Sequence, residues 1–238
     1  MNLVEVSDLH VRYGAFEAVR GVSFSLGKRE ILGIVGESGS GKSTIAKVLM
    51  GLERPASGTI SVAPDARRRA PGASLQMVFQ DAVGSLNPRM TVRQTLDEVL
   101  KLKGDGKMTA ADLLSMVGLS QAILDQYPRE MSGGQCQRVS VARALACRPE
   151  VLVADEPVSA LDVSVQARVL NLLRDLRRKF GLSVLLIAHD LAVVKNVCDR
   201  ICVMEKGRFV DVGDAASVFE HPQSDYTRRL LAAVPTVS

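Results

Sequence analysis

The chain has 238 residues, enough for one large domain with a real hydrophobic core or for one domain carrying an inserted subdomain. Its apolar fraction of 47% and charged fraction of 24% are those of an ordinary globular protein. Aromatic residues make up 4% and Trp is absent, which argues against a stacking platform for single-stranded nucleic acid. The net charge of +4 is compatible with a nucleic-acid binder or with a nucleotide binder docked under a membrane, but it is mild, and we interpret it first as an ordinary solvated surface. No nucleic-acid partner is expected.

Short basic runs and isolated cysteines do not indicate a site of their own. The runs at 67–69 and 177–179 are interpreted as a surface loop and a solvent-facing helix end. The cysteines form no CxxC pair and are predicted to be reduced thiols: Cys136, Cys147, Cys198 and Cys202. The opening segment lacks the apolar region of a secretory signal, and no stretch approaches the roughly 20 apolar residues that span a bilayer. Another chain is therefore expected to supply any membrane part.

The first third of the chain is predicted to be rich in strands. In order, it is predicted to contain paired strands at 2–12 and 19–26 joined by a turn at Tyr13-Gly14, a buried strand at 30–36, a helix from about Lys42 to Gly51, and strands in SGTISV and LQMVFQ. The apolar strand at 30–36 leads directly into a glycine-rich loop, which places that loop between a strand and a helix.

The pattern changes to helical from about 81 to 147, broken by the turn-rich segments VGSLNPR and KGDGK. There follow a strand in EVLVADEP, a helix at about 163–180, a strand in SVLLIAHD, a helix at about 190–197, strands in DRICVME and RFVDVG, and a short helical tail. Strands alternating with helices predict a largely parallel sheet. We interpret 81–147 as a helical lobe inserted into a core lobe of 1–80 and 148–220, with a tail at 221–238.

The segment GESGSGKST fits the phosphate-loop pattern G-x-x-x-x-G-K-[ST]. Glycines let the backbone curl so that several N–H groups face phosphates, and the following helix adds the positive end of its dipole. In such loops the lysine reaches the β- and γ-phosphates and the following hydroxyl ligates Mg²⁺. The predicted nucleotide-binding residues of the loop are Gly36, Ser38, Gly39, Ser40, Gly41, Lys42, Ser43 and Thr44.

Two adjacent acids, Asp155 and Glu156, end the apolar strand in VLVADEP. In phosphate-loop enzymes an Asp at this place holds Mg²⁺, and a carboxylate beside it can orient and deprotonate the attacking water. The alternative is an ordinary helix N-cap before Pro157. The phosphate loop upstream favours the functional interpretation.

The segment MSGGQCQR at 131–138 resembles the signature sequence, usually written LSGGQ, of the ABC transporter ATPase family. Further matches occur in the family's order and spacing: VSALD with Asp162, IAHD with His189, VFQD with Gln80, and Tyr13 after the first strand. Taken singly, each has a simpler interpretation. The Ser-Gly-Gly run could cap a helix, His189 could lie in a strand-to-helix turn, Gln80 could be a surface residue, and Tyr13 could pack in a turn.

The resemblance implies an α/β fold of the P-loop NTPase type: a mixed sheet with an antiparallel β subdomain and an inserted α-helical subdomain. It also implies two such chains, paired head to tail around two ATP molecules. Each ATP would sit on one phosphate loop and under the signature of the opposite chain, contacted there by Ser132, Gly133, Gly134 and Gln135.

The same resemblance assigns roles to single residues. Glu156 would be the general base, and His189 would hold the γ-phosphate and water in register. Gln80 would complete the Mg²⁺ shell with Ser43 and Asp155. Asp162 would communicate across the dimer, and Tyr13 would stack on adenine. The implied cofactors are ATP and Mg²⁺.

Segments at 80–92, 155–173 and 221–235 look like the dipeptide, oligopeptide and nickel importer branch of the family, in particular the shorter of its two ATPase chains. That implies a second ATPase chain (identical or related), two membrane permease subunits, an extracytoplasmic solute-binding protein, and a place on the cytoplasmic face of the inner membrane. Peptides, nickel or a metal chelate, and opine-like solutes all stay open.

A rival class also stays open: an ATPase subunit of a soluble enzyme complex such as the carbon–phosphorus lyase assembly. An ABC ATPase acting on DNA or ribosomes is disfavoured, because those carry a long coiled-coil insert or two fused cassettes.

Overall fold

The computed structural model describes residues 2–63, 75–103, 108–159 and 161–233, and within these ranges it contains two β-sheets and eight α-helices. The basic run at 67–69, residues 104–107 of the KGDGK turn, the central position of VSALD and the end of the tail at 234–238 lie outside the described residues.

The smaller sheet is antiparallel and contains three strands in the order β2-β1-β4: β1 (Asn2–Tyr13), β2 (Phe16–Gly27) and β4 (Ser57–Val62). Tyr13 pairs with Phe16 across a turn in which Gly14 has a φ of 60°, a conformation that glycine adopts without steric cost. The predicted hairpin is confirmed, but β2 begins at Phe16 rather than 19, because the tight turn lets pairing continue to the end of β1.

The larger sheet has six strands in the order β5-β6-β7-β3-β8-β9: β3 (Ile31–Val35), β5 (Leu75–Val78), β6 (Val151–Asp155), β7 (Ser183–Ala188), β8 (Arg200–Glu205) and β9 (Arg208–Asp214). Its first five strands in that order are parallel, and β9 returns antiparallel to β8. Every residue of β3, β6 and β7 is buried, as expected for parallel strands covered on both faces. The predicted mixed sheet with an antiparallel β subdomain is confirmed.

The helices are α1 (Lys42–Leu49), α2 (Val92–Lys103), α3 (Ala110–Met116), α4 (Gly133–Ala146), α5 (Val163–Phe180), α6 (Leu191–Val194), α7 (Ala215–Glu220) and α8 (Asp225–Ala232). The helix predicted at 163–180 has those bounds. The helix predicted at 190–197 is much shorter, because the chain turns to bring Asp199 onto Ile31. There the Asp199 amide donates to the Ile31 carbonyl and the Asp199 carboxylate accepts from the Ile31 amide, both at 2.8 Å.

Two apolar cores lie on opposite faces of the larger sheet. Alternate residues of β3 point to opposite sides, Ile31 and Val35 to one core and Leu32 and Ile34 to the other. The first core is covered by α2 to α8 and the second by α1 and the three-stranded sheet. The sheet is therefore a central layer, and its carboxyl edge is free to present loops.

The helices α2, α3 and α4 all lie in the connection between the neighbouring strands β5 and β6. Helix α4 packs on α2, α3, α5 and β5, so it is a main link between this connection and the sheet. No helix in the described part of the chain is long and apolar enough to cross a membrane.

Cys136, Cys198 and Cys202 are unbridged thiols buried in the apolar cores. Burial raises the pKa of the Cys202 thiol to about 12, and it also raises the pKa values of Cys198 and Cys136. These three are inert packing residues, as predicted.

Candidate functional site

The site lies at the carboxyl edge of the larger sheet, where four parallel strands end side by side. Val35 at the end of β3 pairs with Ala188 of β7, and Ile187 pairs with Asp155 of β6. Val78, at the end of β5, pairs with Ala154. The segments that follow these strands therefore emerge together, as is general for ligand sites in parallel sheets.

The phosphate loop is held against two strands so closely that two of its glycines, Gly36 and Gly41, have no room for a side chain. A Cβ on Gly36 would come within 2.1 Å of the Met204 carbonyl oxygen of β8. A Cβ on Gly41 would lie 2.4 Å from the Ala18 carbonyl oxygen of β2, and Gly41 has a φ of 109°. Gly41 is also the N-cap of α1, and the first amides of an α-helix have no hydrogen-bond partner within the helix.

Lys42 is buried inside the loop, with 3% of its side chain exposed. Its Nζ donates to the carbonyl oxygens of Gly36 at 2.7 Å and Glu37 at 2.8 Å. Burial lowers the pKa of Lys42, and the charges of Glu156 and Asp155 oppose that effect. The ammonium is thus held by two backbone carbonyls inside the loop, and an anion that enters the loop can replace them as its hydrogen-bond partners.

Ser43 and Asp155 form a pair of oxygen ligands beside Lys42. The Ser43 hydroxyl donates to Asp155 Oδ1 at 2.9 Å, and Asp155 is 7% exposed. Burial raises the pKa of Asp155, while the hydrogen bond from Ser43 and the charge of Lys42 act in the opposite direction. A divalent cation would offset the burial of this carboxylate, and hard oxygen donors are what Mg²⁺ prefers.

The described residues contain no group of three His, Cys, Asp or Glu side chains that could hold a metal alone.

Glu156 has a φ of 45°, in the left-handed region that non-glycine residues avoid. The turn is fixed from both sides. Its amide donates to the Ile187 carbonyl at 3.0 Å, and its carbonyl accepts from the Ser159 amide at 3.3 Å and hydroxyl at 3.2 Å. Strain of this kind persists only where the surroundings over-determine it, and it is concentrated at functional sites. The alternative of a helix N-cap at 155–156 is wrong, since the next helix begins at Val163 with Asp162 as its cap.

Three other predicted residues approach the Glu156 carboxylate. Gln80 Nε2 donates to Glu156 Oε2 at 3.2 Å, and His189 Nδ1 lies 3.7 Å from the same oxygen. Lys42 Nζ lies 4.0 Å from Oε1. The carboxylate is 12% exposed while the histidine is 48% exposed, so the group opens to solvent on the side of His189. A water there would have a base and a polar partner within reach.

Ser132 caps α4, as the simpler interpretation of that segment expected. Its hydroxyl accepts from the Gln135 amide at 3.3 Å, and the Gln135 side chain accepts from the Ser132 amide at 2.8 Å, a reciprocal capping box. Gly134 packs so closely on Val165 that a Cβ would come within 2.4 Å of it. Ser132 and Gly133 remain exposed at the helix end.

Within the described part of the chain, no hydrogen bond or ion pair joins 132–135 to Lys42, Asp155 or Glu156. The structure therefore brings together the loop, the acidic pair, Gln80 and His189, and leaves the signature apart. Asp162 belongs with the signature side, since it caps α5, whose first turn carries Val165.

Tyr13 lies at the tip of the hairpin with 42% of its surface exposed, and its partner Phe16 is 59% exposed. Ala18, two residues further along β2, is the residue whose carbonyl lies against Gly41. The hairpin tip is therefore a neighbour of the phosphate loop.

Sequence reasoning missed two side chains that touch the site. Ser159 accepts from Gln80 Nε2 at 3.3 Å, and the Tyr226 hydroxyl accepts from the Glu37 amide at 2.9 Å. Ser159 lies within a segment that the sequence analysis singled out as a whole. No local sequence pattern predicts the contact of Tyr226, because its partner Glu37 is 189 positions away in the chain.

Comparison with known proteins agrees with this geometry. Residues 19–159 match the sequence model of the family described as ABC transporter. The Mycobacterium bovis protein named "Oligopeptide transport ATP-binding protein OppD" is 48% identical over 93% of this chain, which spans 38% of that protein's length. The Escherichia coli protein named "Oligopeptide transport ATP-binding protein OppF" is 42% identical over 98% of this chain and 78% of its own length.

Among solved structures, the dimeric post-hydrolysis state of the ATP-binding cassette MJ0796 bound to ADP and Pi superposes with a TM-score of 0.76. Its identity is 27%, over 89% of this chain and 98% of that one. The chain therefore shares its fold with an ATP-binding cassette, and the names of its relatives also refer to ATP binding.

Proposed function

The chain belongs to the ABC transporter family, and on this premise we propose that it is the ATP-hydrolysing subunit of an importer for peptides or related small solutes. The observation that carries the ATPase part is the approach of Lys42 Nζ to Glu156 Oε1 at 4.0 Å, between a phosphate loop and an acidic pair. The names of the relatives, which refer to oligopeptide transport, support the solute class.

In this proposal the phosphates of ATP occupy the loop formed by Gly36, Ser38, Gly39, Ser40, Gly41, Lys42, Ser43 and Thr44. Lys42 leaves the carbonyls of Gly36 and Glu37, which now hold it at 2.7 and 2.8 Å, and turns to the β- and γ-phosphates. The free amides at the start of α1 add further donors for the same anions. Tyr13, exposed at the neighbouring hairpin tip, stacks on adenine.

Glu156 acts as the general base that accepts a proton from the attacking water. Gln80 and His189, which approach the same carboxylate oxygen at 3.2 and 3.7 Å, orient that water. Ser43, Asp155 and Gln80 would hold Mg²⁺, which neutralises charge on the phosphates when bound.

A second ATPase chain, identical or related, completes the site. The exposed end of α4 carries Ser132 and Gly133, followed by Gly134 and Gln135. Among the described residues it makes no hydrogen bond or ion pair with Lys42, Asp155 or Glu156. A helix start with free amides favours an anion, so this end suits the γ-phosphate of an ATP bound to the opposite chain. In this proposal Asp162, which caps the adjoining helix, communicates the state of one site to the other.

The lobes are also part of the proposal. Residues 81–147 would move as a helical lobe on a core of 1–80 and 148–220, with the tail at 221–238, and would meet the membrane subunits. The complete importer would contain two permease chains, with an extracytoplasmic solute-binding protein, and this chain would lie at the cytoplasmic face of the inner membrane.

Affinity capture of the full chain from native membranes and from cytosol, followed by mass spectrometry, tests the importer assignment. Recovery of two permease proteins and a second ATPase supports it. Recovery of soluble enzyme subunits without a permease would overturn the importer part and favour the enzyme-complex class, while leaving the ATP chemistry intact.

A further inference from the structure

We propose that Tyr226, on the last described helix, is a positioning residue of the ATP site that holds the phosphate loop in its nucleotide-binding shape. The inference rests on the phosphate-loop role in the proposed function and assigns a part to the carboxyl-terminal segment. The carrying observation is the hydrogen bond of 2.9 Å from the Glu37 amide to the Tyr226 hydroxyl, between residues 189 positions apart.

One peptide unit of the loop is held at both ends. The carbonyl of Gly36 accepts from Lys42 Nζ at 2.7 Å, and the amide of the same Gly36–Glu37 peptide donates to Tyr226 at 2.9 Å. The next carbonyl, that of Glu37, accepts from Lys42 at 2.8 Å and from the Ser40 amide at 3.2 Å. Tyr226 therefore fixes the orientation of the Gly36–Glu37 peptide, whose carbonyl accepts the hydrogen bond from Lys42.

The hydroxyl of Tyr226 is fixed in place by its own surroundings. The residue is 6% exposed, and its ring belongs to the apolar core on the helical face of the sheet. Burial raises the pKa of Tyr226, so the group is a neutral hydroxyl across the physiological range.

The helix that carries Tyr226 is anchored by a buried carboxylate of β9. Asp211 accepts from the amides of Gln223 at 2.9 Å and Ser224 at 3.0 Å, and also from the hydroxyl of Thr227. Ser224 in turn caps α8 by accepting from the Thr227 amide at 3.0 Å. These bonds fix the start of α8 on β9.

The strand β9 pairs with β8, whose Met204 carbonyl lies against Gly36. The phosphate loop is thus connected to α8 in two ways: through β8 and β9, and directly through the hydrogen bond from the Glu37 amide to Tyr226. A loop held at fixed points has fewer conformations to lose when phosphates bind, so its affinity for nucleotide is higher.

Tyr226→Phe keeps the ring and removes only the acceptor. We expect the Kd for MgATP to rise about two- to tenfold, the range of one uncharged hydrogen bond. KM should rise with it. kcat at saturating ATP should stay within about twofold, because no hydrogen bond or ion pair joins Glu156, Gln80 or His189 to Tyr226 in the described chain and these residues act after the loop is occupied.

The experiment compares the full-length parent chain with Tyr226→Phe, Lys42→Ala and the matched control Tyr127→Phe. Tyr127 undergoes the same chemical change but contacts Arg129 and Glu130 rather than the loop. The measurements are Kd for MgATP by titration calorimetry, KM and kcat for phosphate release, and the melting temperature without nucleotide.

A raised Kd in Tyr226→Phe with a parental value in Tyr127→Phe supports the inference. A parental Kd in Tyr226→Phe, with or without a lower melting temperature, overturns it and leaves the proposed function standing if Lys42→Ala loses binding. A parental Kd in Lys42→Ala overturns the phosphate-loop role, and this inference falls with it.

Discussion

At the scale of single residues, Glu156 is the position that defines the site. Its left-handed φ of 45° is maintained by Ile187 on one side and Ser159 on the other, and a relaxed turn would aim the carboxylate elsewhere. A conformational cost of about 1–3 kcal/mol is typical for such a residue. It is offset by the hydrogen bonds that lock the turn, and the outcome is a carboxylate that meets Gln80, His189 and Lys42.

Lys42→Ala should weaken MgATP binding at least tenfold, since charge-assisted hydrogen bonds to phosphate are worth about 1.5–3 kcal/mol. Equilibrium titration of the full chain measures the change. Lys47→Ala, on the exposed side of the same helix, is the matched control and should bind like the parent. An unchanged affinity in Lys42→Ala would remove the lysine from the phosphate site.

Some residues of the site could be predicted from the sequence and others could not. Gly36 to Thr44 and the pair Asp155–Glu156 were predictable because their residue types and spacing are dictated by phosphate and metal chemistry. The contact of Tyr226 with Glu37 was not, since it depends on how α8 docks on β9. The backbone conformation of Glu156 is likewise set by its bond to Ile187 on another strand.

At the scale of elements, the hairpin of β1 and β2 is fastened by a histidine between two carboxylates. His10 Nδ1 lies 2.9 Å from Glu17 Oε1, and its Nε2 lies 3.3 Å from Asp8 Oδ1. The hydrogen bond with Glu17 raises the pKa of His10, burial opposes it, and Asp8 adds to the increase. Protonated His10 therefore holds the hairpin together.

The stability of the folded chain should depend on pH through His10. Because its folded-state pKa lies above the unfolded value of about 6.5, its contribution is fully present below that value and is lost as pH rises through the folded pKa. The urea concentration at the midpoint of unfolding should therefore decrease in the parent as the pH is raised from about 6 to 8.

His10→Gln should flatten this dependence, whereas His221→Gln, at an exposed position outside the hairpin, should keep it. An equal slope in the parent and in His10→Gln would exclude the hairpin as its source.

The anchoring of α8 gives a second test at this scale. Burial alone would raise the pKa of Asp211, but the hydrogen bonds from Thr227, Gln223 and Ser224 outweigh it and hold the pKa below its usual value. The stabilisation is present above the ordinary carboxyl pKa of about 4 and is lost as pH falls through the lower folded value.

Asp211→Asn should cost about 1–3 kcal/mol of unfolding free energy, because an amide cannot accept all three bonds. Hydrogen exchange should show faster exchange in α8, while Asp225→Asn, which removes only an exposed pair with Arg228, should change little. Parental protection of α8 in Asp211→Asn would contradict the anchor.

The boundaries of a helix can be predicted from the sequence where local capping residues set both of its ends. The start and end of α5 were predictable because Asp162 caps one end and Gly181, with a φ of 69°, ends the other. The length of α6 was not, since its end is set by Asp199 bonding to Ile31 of β3.

At the scale of the whole molecule, the described chain carries two groups of residues, both assigned to ATP in our proposal, that lie apart from each other. The loop, Asp155 and Glu156 lie at the carboxyl edge of the sheet, and Ser132 to Gln135 begin a helix in the connection between β5 and β6. The periodicity of strands and helices was enough to predict the sheet. The sequence could not predict which of these residues lie together within one chain, because that depends on the tertiary arrangement.

The central claim is ATP hydrolysis by Glu156 in a site shared by two chains, and Glu156→Gln tests it most directly. The full-length variant is compared with the parent and with Glu150→Gln, which alters a carboxylate preceding the opposite end of β6. Phosphate release is measured together with molar mass by light scattering, in MgATP and in MgADP.

We predict that Glu156→Gln binds ATP like the parent, hydrolyses it at least about 100-fold more slowly, and forms a dimer in ATP but not in ADP, while Glu150→Gln behaves like the parent. Hydrolysis by Glu156→Gln at the parental rate would contradict the assignment of the base, and a monomer in saturating ATP would contradict the shared site.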